Sequence, residues 1–564
     1  MRDIDGALVD QPHEETRVED LPFATHSEMV EACRKLTNNQ AIDALKSRLL
    51  PLVFTLGKVH YAAAGQHGVN TGRDRKVSIV AQADPDQMLH AFQVVFGKQL
   101  LHNARFYLRD TYPNYSAAKR LTVSQVIGLV LAVIAVCIGV AFKPVLTVNI
   151  GVAVFSLIFL SVVSLRLAAI LPVKKPKRFV EQKLSDNQLP VYTVLVPLFK
   201  ETGVVHQLIT GLNALDYPPE KLDIKLVLEV DDKAMIAALS EIPLRHHFEV
   251  IIVPKGKPQT KPKALNYALQ FSRGELVVIF DAEDIPQPNQ LRLSAEKFAA
   301  SPKELVCLQA KLTFYNANEN WLTRQFTIEY AVLFDLVLPM LASMSLPLPL
   351  GGTSNHFRMQ ALRRLGCWDP FNVTEDADLG IRLARFGWFA DVLDSSTFEE
   401  ANNDLANWMS QRARWLKGWI QTWFVHMRNP VQLWKQLGGV GFITMQVIMA
   451  GIVVSTLVHP IFLVITIWAI GSGQFLPIEQ NWWVVLVSGT GLAVLLVGYG
   501  VTLFAGWLAL GKRGLGQLWP SVLAMPVYWL LISVGGWLAL KQFITHPFHW
   551  NKTKHGISKV IPRR

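Results

Sequence analysis

Carboxylates recur in this chain at the ends of short β-branched runs. VLVPLFKE ends on Glu201, LVLEVDD on Asp231 and Asp232, and ELVVIFDAEDIP on Asp281, Glu283 and Asp284. Any one of these acids could be a helix N-cap or a turn residue. Three acidic tips on one sheet gather negative charge that is costly without a cation, a hydrogen-bond donor or a substrate to meet it. A hard divalent ion, held by one or two carboxylates together with phosphate oxygens, is such a partner. Lys261, in KPQTKPKALNYAL, could bring positive charge to a diphosphate, although a lone lysine there also reads as a solvated helix end. Farther on, Thr374-Glu375-Asp376 opens VTEDADLGIRLARFG, a predicted helix that Thr374 or Asp376 could simply cap. It follows GGTSNHF, Gly351–Phe357, a small-residue loop suited to close approach by a ligand.

The elements that must position these residues form a coarse pattern. VYTVLVPL, IKLVLEV, FEVIIVP and ELVVIF are separated by helix-length segments, which predicts an α/β domain with a mainly parallel sheet from about Leu189 to Glu400. Ligands of such sheets bind where strands end. Before it, KVSIVAQADPDQMLHAFQVVFG predicts a strand, a turn at Asp84-Pro85 and a helix. Apolar blocks flank the domain: Val123–Phe142 and Val145–Leu171 on one side, and Gly438–Ile470, Trp482–Leu510 and Leu518–Leu540 on the other. Each reaches the roughly 20 residues that a membrane-crossing helix needs. The basic run Lys174–Phe179 marks the cytoplasmic end of the second block. Three later crossings would leave the basic tail HPFHWNKTKHGISKVIPRR outside, so a break at His459-Pro460, giving two short passes, is the favoured reading. WLTRQFTIEYAVLFDLVLPML and LANWMSQRARWLKGWIQTWF are amphipathic, as interfacial or core helices are. Trp408, Trp415, Trp419 and Trp423 favour the interface.

At 564 residues the chain exceeds one ordinary domain. It is 51% hydrophobic and 18% charged, a balance that fits a soluble part joined to a membrane part. Its first residues, MRDIDGALVDQPHEETRVED, lack the pattern of a cleavable signal and read as a polar cytoplasmic start. Cys33, Cys137, Cys307 and Cys367 have neither metal-ligand spacing nor a disulfide pattern. The net charge of +11 gathers beside apolar runs, and no basic stripe lies elsewhere, so nucleic acid is not an expected partner.

In order, VPLFKE, EVDD, TKPKALN, FDAED, GGTSNHF, TED and QRARW resemble the processive branch of glycosyltransferase family 2, which includes cellulose, hyaluronan and curdlan synthases. The resemblance covers about Leu189 to Trp423. It implies a cytoplasmic GT-A type glycosyltransferase domain inserted between transmembrane helices, with interfacial amphipathic helices and a small α+β amino-terminal domain. The divisions are then 1–120, an amino-terminal domain; 121–171, two membrane helices; 172–403, the transferase; 404–436, an interfacial helix; and 437–564, further membrane helices and a basic tail.

The same resemblance implies residue roles. Asp376 would be the general base. Glu201, Asp231, Lys261, Asp281 and Arg414 would bind the donor, Asp231 at the base or ribose, and Lys261 and Arg414 near the diphosphate. Asp281 and Glu283 would hold Mg2+ or Mn2+, Glu283 standing where many relatives have aspartate. Gln411, Trp415 and Glu375 would meet the acceptor. The implied activity is inverting transfer from a UDP-sugar, UDP-glucose foremost, to a β-linked polysaccharide at a bacterial inner membrane, with membrane lipid as a further partner. A non-processive transferase with a lipid-linked acceptor and an inactive receptor or scaffold are the alternatives. LPLVFTLGKVHYAAAG with VSIVAQADPDQMLHAF distantly resembles the amino-terminal domain of type II secretion ATPases, some of which bind cyclic di-GMP. That family's nucleotide-binding motif is not evident here, and a packing or docking domain is the preferred reading.

Overall fold

The computed structural model describes residues 21–55, 58–75, 77–172, 183–472, 482–548 and 556–560. Residues 1–20, the basic run Lys174–Phe179 and most of the basic tail lie outside the described residues. The elements run α1 (His26–Arg34), α2 (Asn38–Ser47), β1 (Leu49–Thr55), β2 (Lys58–Ala64), α3 (Gly65–Arg75), β3 (Ser78–Ala83), α4 (Pro85–Thr111), α5 (Val123–Phe142) and α6 (Pro144–Ile170). Next come β4 (Tyr192–Leu198), α7 (Val205–Asn213), β5 (Leu222–Glu229), α8 (Lys233–Ser240), β6 (Phe248–Val253), α9 (Lys261–Leu269), β7 (Leu276–Ile279), β8 (Ile285–Pro286), α10 (Gln290–Ala299) and β9 (Leu305–Phe314). The remainder are α11 (Trp321–Val332), α12 (Leu338–Ser343), β10 (Asn355–Arg358), α13 (Met359–Arg364), α14 (Glu375–Arg385), β11 (Phe389–Glu399), α15 (Leu405–His426), α16 (Pro430–Met445), α17 (Ile452–Gly471), α18 (Trp482–Lys512) and α19 (Met525–Thr545). Two compact units contain them: Met1–Phe106 with Pro190–Lys200 and Pro218–Val277, and Tyr107–Leu189 with Glu201–Tyr217 and Val278–Arg564.

In the first unit, Thr25 and Thr37 start α1 and α2 through capping boxes with Glu28 and Gln40. β1 pairs antiparallel with β2, which pairs parallel with β3. The Asp84 carboxylate accepts from the Gln87 amide at 2.9 Å, so the turn read at Asp84-Pro85 does start a helix. β4, β5 and β6 are parallel neighbours. β5 is buried at every position, as a strand inside a parallel sheet is.

Three of those buried positions are nevertheless charged, Asp223, Lys225 and Glu229, and the strand's period of two puts them on one face. The Lys225 ammonium bridges Asp223 at 2.8 Å and the Glu249 carboxylate. Glu249 also meets the Arg48 guanidinium at 2.5 Å, and Asp223 meets Arg273 at 3.0 Å and Thr193 at 2.7 Å. Burial opposes ionisation of Asp223 and Glu249, but the neighbouring cations outweigh it and hold both carboxyls below their ordinary range. Acids with lowered pKa stabilise the fold above the unfolded-state value and lose that contribution as pH falls through the carboxylate range. Arg48→Ala should therefore cost about 3 kcal/mol at pH 7, as breaking a buried pair does. In denaturant titrations the difference between wild type and variant should shrink at pH 3.

In the second unit, β9 and β11 are parallel, while β10 pairs antiparallel with β9 and β8 antiparallel with β11. The sheet is thus mixed, where the sequence predicts a mainly parallel one. β10 escapes that reading because NHFR is four residues long and half polar. Among the described residues six helical stretches are long and apolar enough to cross a membrane: Val123–Phe142, Pro144–Ile170, Trp321–Ser343, Pro430–Trp468, Gly489–Lys512 and Gly516–Thr545. The two-pass reading of the first carboxy-terminal block is corrected. Its helix bends at Gly438, where φ is 68°, yet α17 runs through Pro460. A proline removes only one amide donor, and in an apolar setting a continued helix satisfies the remaining backbone groups.

Candidate active site

The acidic end of β7 is held by its own loop. The Asp281 amide donates to Asp284 Oδ2 at 2.7 Å and to Thr353 Oγ1 at 3.3 Å, and the Thr353 hydroxyl bonds the Asp284 carboxyl directly. Asp284 is 2% exposed, and its Oδ1 is buried with no hydrogen-bond partner among the described residues. Burial, then repulsion from Asp281 and Glu283, pushes its pKa well above the carboxylate range. Asp284 thereby braces the loop from within, while Asp281 and Glu283 are partly exposed. Among the described residues no group of three or more His, Cys, Asp or Glu side chains is arranged to hold a metal by itself.

The small-residue loop earns its composition. The Gly351 amide donates to Gln309 Oε1 at 2.7 Å, and a Cβ there would come within 3.2 Å of Leu312 and 3.3 Å of Phe334. A Cβ on Gly352 would lie 3.3 Å from Asp376 Oδ2. The loop therefore rests against the start of α14, where Asp376 accepts from the Ala377 amide at 2.7 Å and Glu375 is buried.

α15 closes this side. Burial lowers the pKa of Arg414, and the charges of Glu375, Asp376 and Asp281 resist that in decreasing order. One guanidinium thus lies within electrostatic reach of both the TED acids and Asp281. Gly418 makes the approach possible, since a Cβ on it would lie 2.3 Å from Thr374 Oγ1. Gln421 Oε1 accepts from the Val373 amide at 3.3 Å, and Thr422 accepts from Asn372 at 2.9 Å, so α15 also fixes the residues leading into α14. Buried Asp378 of α14 pairs with Arg382 at 2.8 Å and with His426 of α15 at 3.0 Å.

Other predicted site residues are placed differently. Asp231 and Lys261 belong to the first unit. Asp231 is exposed after β5 and pairs with Lys255 at 3.3 Å, and Lys261 opens α9. The adjacent Asp232 is buried and caps α8 through the Met235 amide at 3.3 Å, which is the plain reading of an acidic tip. Glu201, in the second unit, is a partly exposed turn residue before α7. Gln411 accepts from Asn402 at 2.9 Å. Trp415 stacks on Tyr330, with ring centroids 6.3 Å apart.

Sequence reasoning missed two cations of α15. Arg412 makes paired 2.7 Å bonds to Glu329 and meets Tyr528 at 3.1 Å, with the rings of Trp408, Trp415 and Phe326 around it. Lys417 is fully buried and donates to the His546 carbonyl at 3.4 Å. Burial, then Arg414, pushes its pKa down to about 8. The signal was available in QRARWLKGW, where Lys417 stands one helical turn after Arg414. Trp408 is fully buried in protein, so it does not count for an interfacial helix as the sequence suggested.

Residues 190–418 match the family described as Glycosyltransferase like family 2. That stretch is similar to glycosyltransferase family 2 domains. Its sheet is mixed, and the curated relatives that match this part of the chain include glycosyltransferases. The chain is 27% identical over 294 residues to the beta-monoglucosyldiacylglycerol synthase of a Synechocystis species, covering 51% of this chain and 60% of that one. It is 27% identical over 251 residues to glucomannan 4-beta-mannosyltransferase 2 of Arabidopsis thaliana, covering 42% and 46%. The matches thus span about half the length of these relatives. The solved mannosyltransferase PcManGT from Pyrobaculum calidifontis, in complex with GDP-Man and Mn2+, covers 73% of this chain and 98% of its own at 15% identity and a TM-score of 0.44.

The absence of a side chain at Gly418 lets α15 lie against Thr374, just before α14. Gly418→Ala should cut turnover by roughly a hundredfold, the scale expected when catalytic groups shift by about 1 Å. Steady-state assay beside circular dichroism checks this, with helix content expected to stay unchanged.

Proposed function

We propose that the chain transfers a sugar from a UDP-sugar, UDP-glucose foremost, to the end of a growing β-glycan, inverting the anomeric carbon, and passes the product across a bacterial inner membrane. The observation that carries this is half-buried Arg414, which feels the charges of Glu375, Asp376 and Asp281, so that a cation and a candidate base lie within electrostatic reach of one acidic strand end. As the acceptor hydroxyl attacks C1, Asp376 takes its proton. The bond from C1 to the diphosphate breaks, and Arg414 stabilises the charge left on it. One base without a carboxylate nucleophile means a single displacement, so an α-linked donor yields a β-linkage. Asp281 and Glu283 would hold a magnesium or manganese ion, which when bound adds positive charge to the diphosphate. Too few for a cage of their own, these two acids suit an ion that shares its ligands with phosphate. Asp231 serves the base or ribose, Lys261 the diphosphate, and Glu201 the donor side. Gln411, Trp415 and Glu375 serve the acceptor. The transferase domain faces the cytoplasm in this reading, with 404–436 at the membrane surface. Cyclic di-GMP as a ligand of the amino-terminal domain rests on that segment's distant resemblance alone.

A lipid acceptor is the second reading. The Synechocystis relative is named for a glucosylated diacylglycerol, and apolar helices would serve a lipid acceptor as well as a polymer. Protein in nanodiscs, given radiolabelled UDP-sugars with magnesium or manganese, separates the two. Ethanol-insoluble label supports the polymer, and solvent-extractable label supports the lipid. Release of neither product nor UDP from any donor would count against both. Asp376→Asn should lower transfer by roughly a thousandfold while donor binding persists, as loss of a general base does. Near wild-type turnover in that variant would remove Asp376 from its role.

A further inference from the structure

The amino-terminal domain grips β6 and the segment after it. Arg48 reaches Glu249, near the start of the strand, at 2.5 Å. Beyond the strand's end, Pro254–Thr260 leads into α9 and carries Lys255, which pairs with Asp231 at 3.3 Å. Buried Lys263 fastens the start of this loop from within, donating to Glu229 at 2.8 Å and to the Pro254 carbonyl at 3.5 Å. α4 fastens it from without. Arg105 Nε donates to the Lys257 carbonyl at 2.5 Å. Gly256 lies so close that a Cβ would come within 3.2 Å of both Leu101 and Arg105. The register between α4 and α9 is fixed as well: Asn266 donates to the Ala104 carbonyl at 3.2 Å, and Gln270 to the Leu100 carbonyl at 2.9 Å.

We propose that the amino-terminal domain sets donor affinity, with Arg105 as a positioning residue that holds the Pro254–Thr260 loop, and through it Lys255 and Lys261, in the donor-binding arrangement. This rests on the nucleotide-sugar reading above. The loop's main chain has two attachments with different origins. The inner one, Lys263, belongs to the transferase fold, and the outer one, Arg105, to the added domain. Loss of the outer attachment frees the loop while the strands stay in place. Donor binding then weakens because the loop must be ordered at the moment of binding, whereas the base and the acceptor residues are untouched. A movement of α4 would be felt first as a change in donor KM.

The test uses the full chain in detergent, with wild type, Arg105→Ala, Arg105→Lys and Gly256→Ala. UDP and GDP affinities are measured calorimetrically with manganese, beside donor KM and kcat and the melting temperature. Arg105→Ala and Gly256→Ala should each raise Kd and KM about five- to tenfold, the worth of one or two hydrogen bonds, with kcat within about twofold. Arg105→Lys, which can still donate to the carbonyl, should recover most of the affinity. Wild-type Kd and KM in Arg105→Ala would overturn the proposal. So would equal losses in kcat and KM with early melting and no rescue by lysine, which mark a merely structural contact. A wild type that binds neither nucleotide would overturn the nucleotide-sugar reading itself, a result distinct from any difference between variants.

Discussion

Whatever charge α15 carries into the protein must be met there, because an uncompensated buried cation costs several kcal/mol. Residues two apart on a helix point to nearly opposite sides. Arg412 and Arg414 therefore face different surroundings, Arg412 toward Glu329 and Tyr528, and Arg414 toward Glu375, Asp376 and Asp281. The Glu329 pair fixes the rotation of α15 about its own axis, and that rotation aims Arg414. Gly418 follows one turn later on the Arg414 side, where any side chain would strike Thr374. The alternation of QRARW is thus a device that couples apolar helices on one face to the TED acids on the other.

Much of this was legible. The acidic strand ends, the small-residue loop and the TED and QRARW runs announce themselves by type and order. What the sequence could not do was sort the acids. Asp231 and Asp232 are neighbours of one kind, yet one is exposed and the other caps a helix. Asp284 looks like a third ligand until its burial and its contact with Thr353 make it a brace. Such distinctions depend on solvent exposure and on partners distant in sequence, which a local pattern does not carry. Pro460 misled for a related reason: a breaker in water is tolerated inside a long apolar helix. Trp408 misled too, since a ring that suits a membrane surface suits a protein core equally well.

Five of the six long apolar stretches among the described residues were legible by length alone, while the sixth, Trp321–Ser343, reads as amphipathic in the sequence. Their links to the chemistry were not. Glu329 stands in a stretch that reads as amphipathic and Tyr528 in one that reads as apolar, and only their meeting with Arg412 shows why those polar groups are there.

The ion row on β5 and β6 bears on how this chain could have been assembled. Arg48 comes from the amino-terminal domain, whereas Glu249, Lys225 and Asp223 come from the strands it rests on. Within this one compact unit the contact between the amino-terminal segment and the strands is therefore paired charge by charge and is no blank surface. Recombining this domain with another transferase would transplant a buried guanidinium with no carboxylate waiting for it. Conversely, a chain without Arg48 would leave Glu249 with Lys225 to meet its charge, and Lys225 is already shared with Asp223.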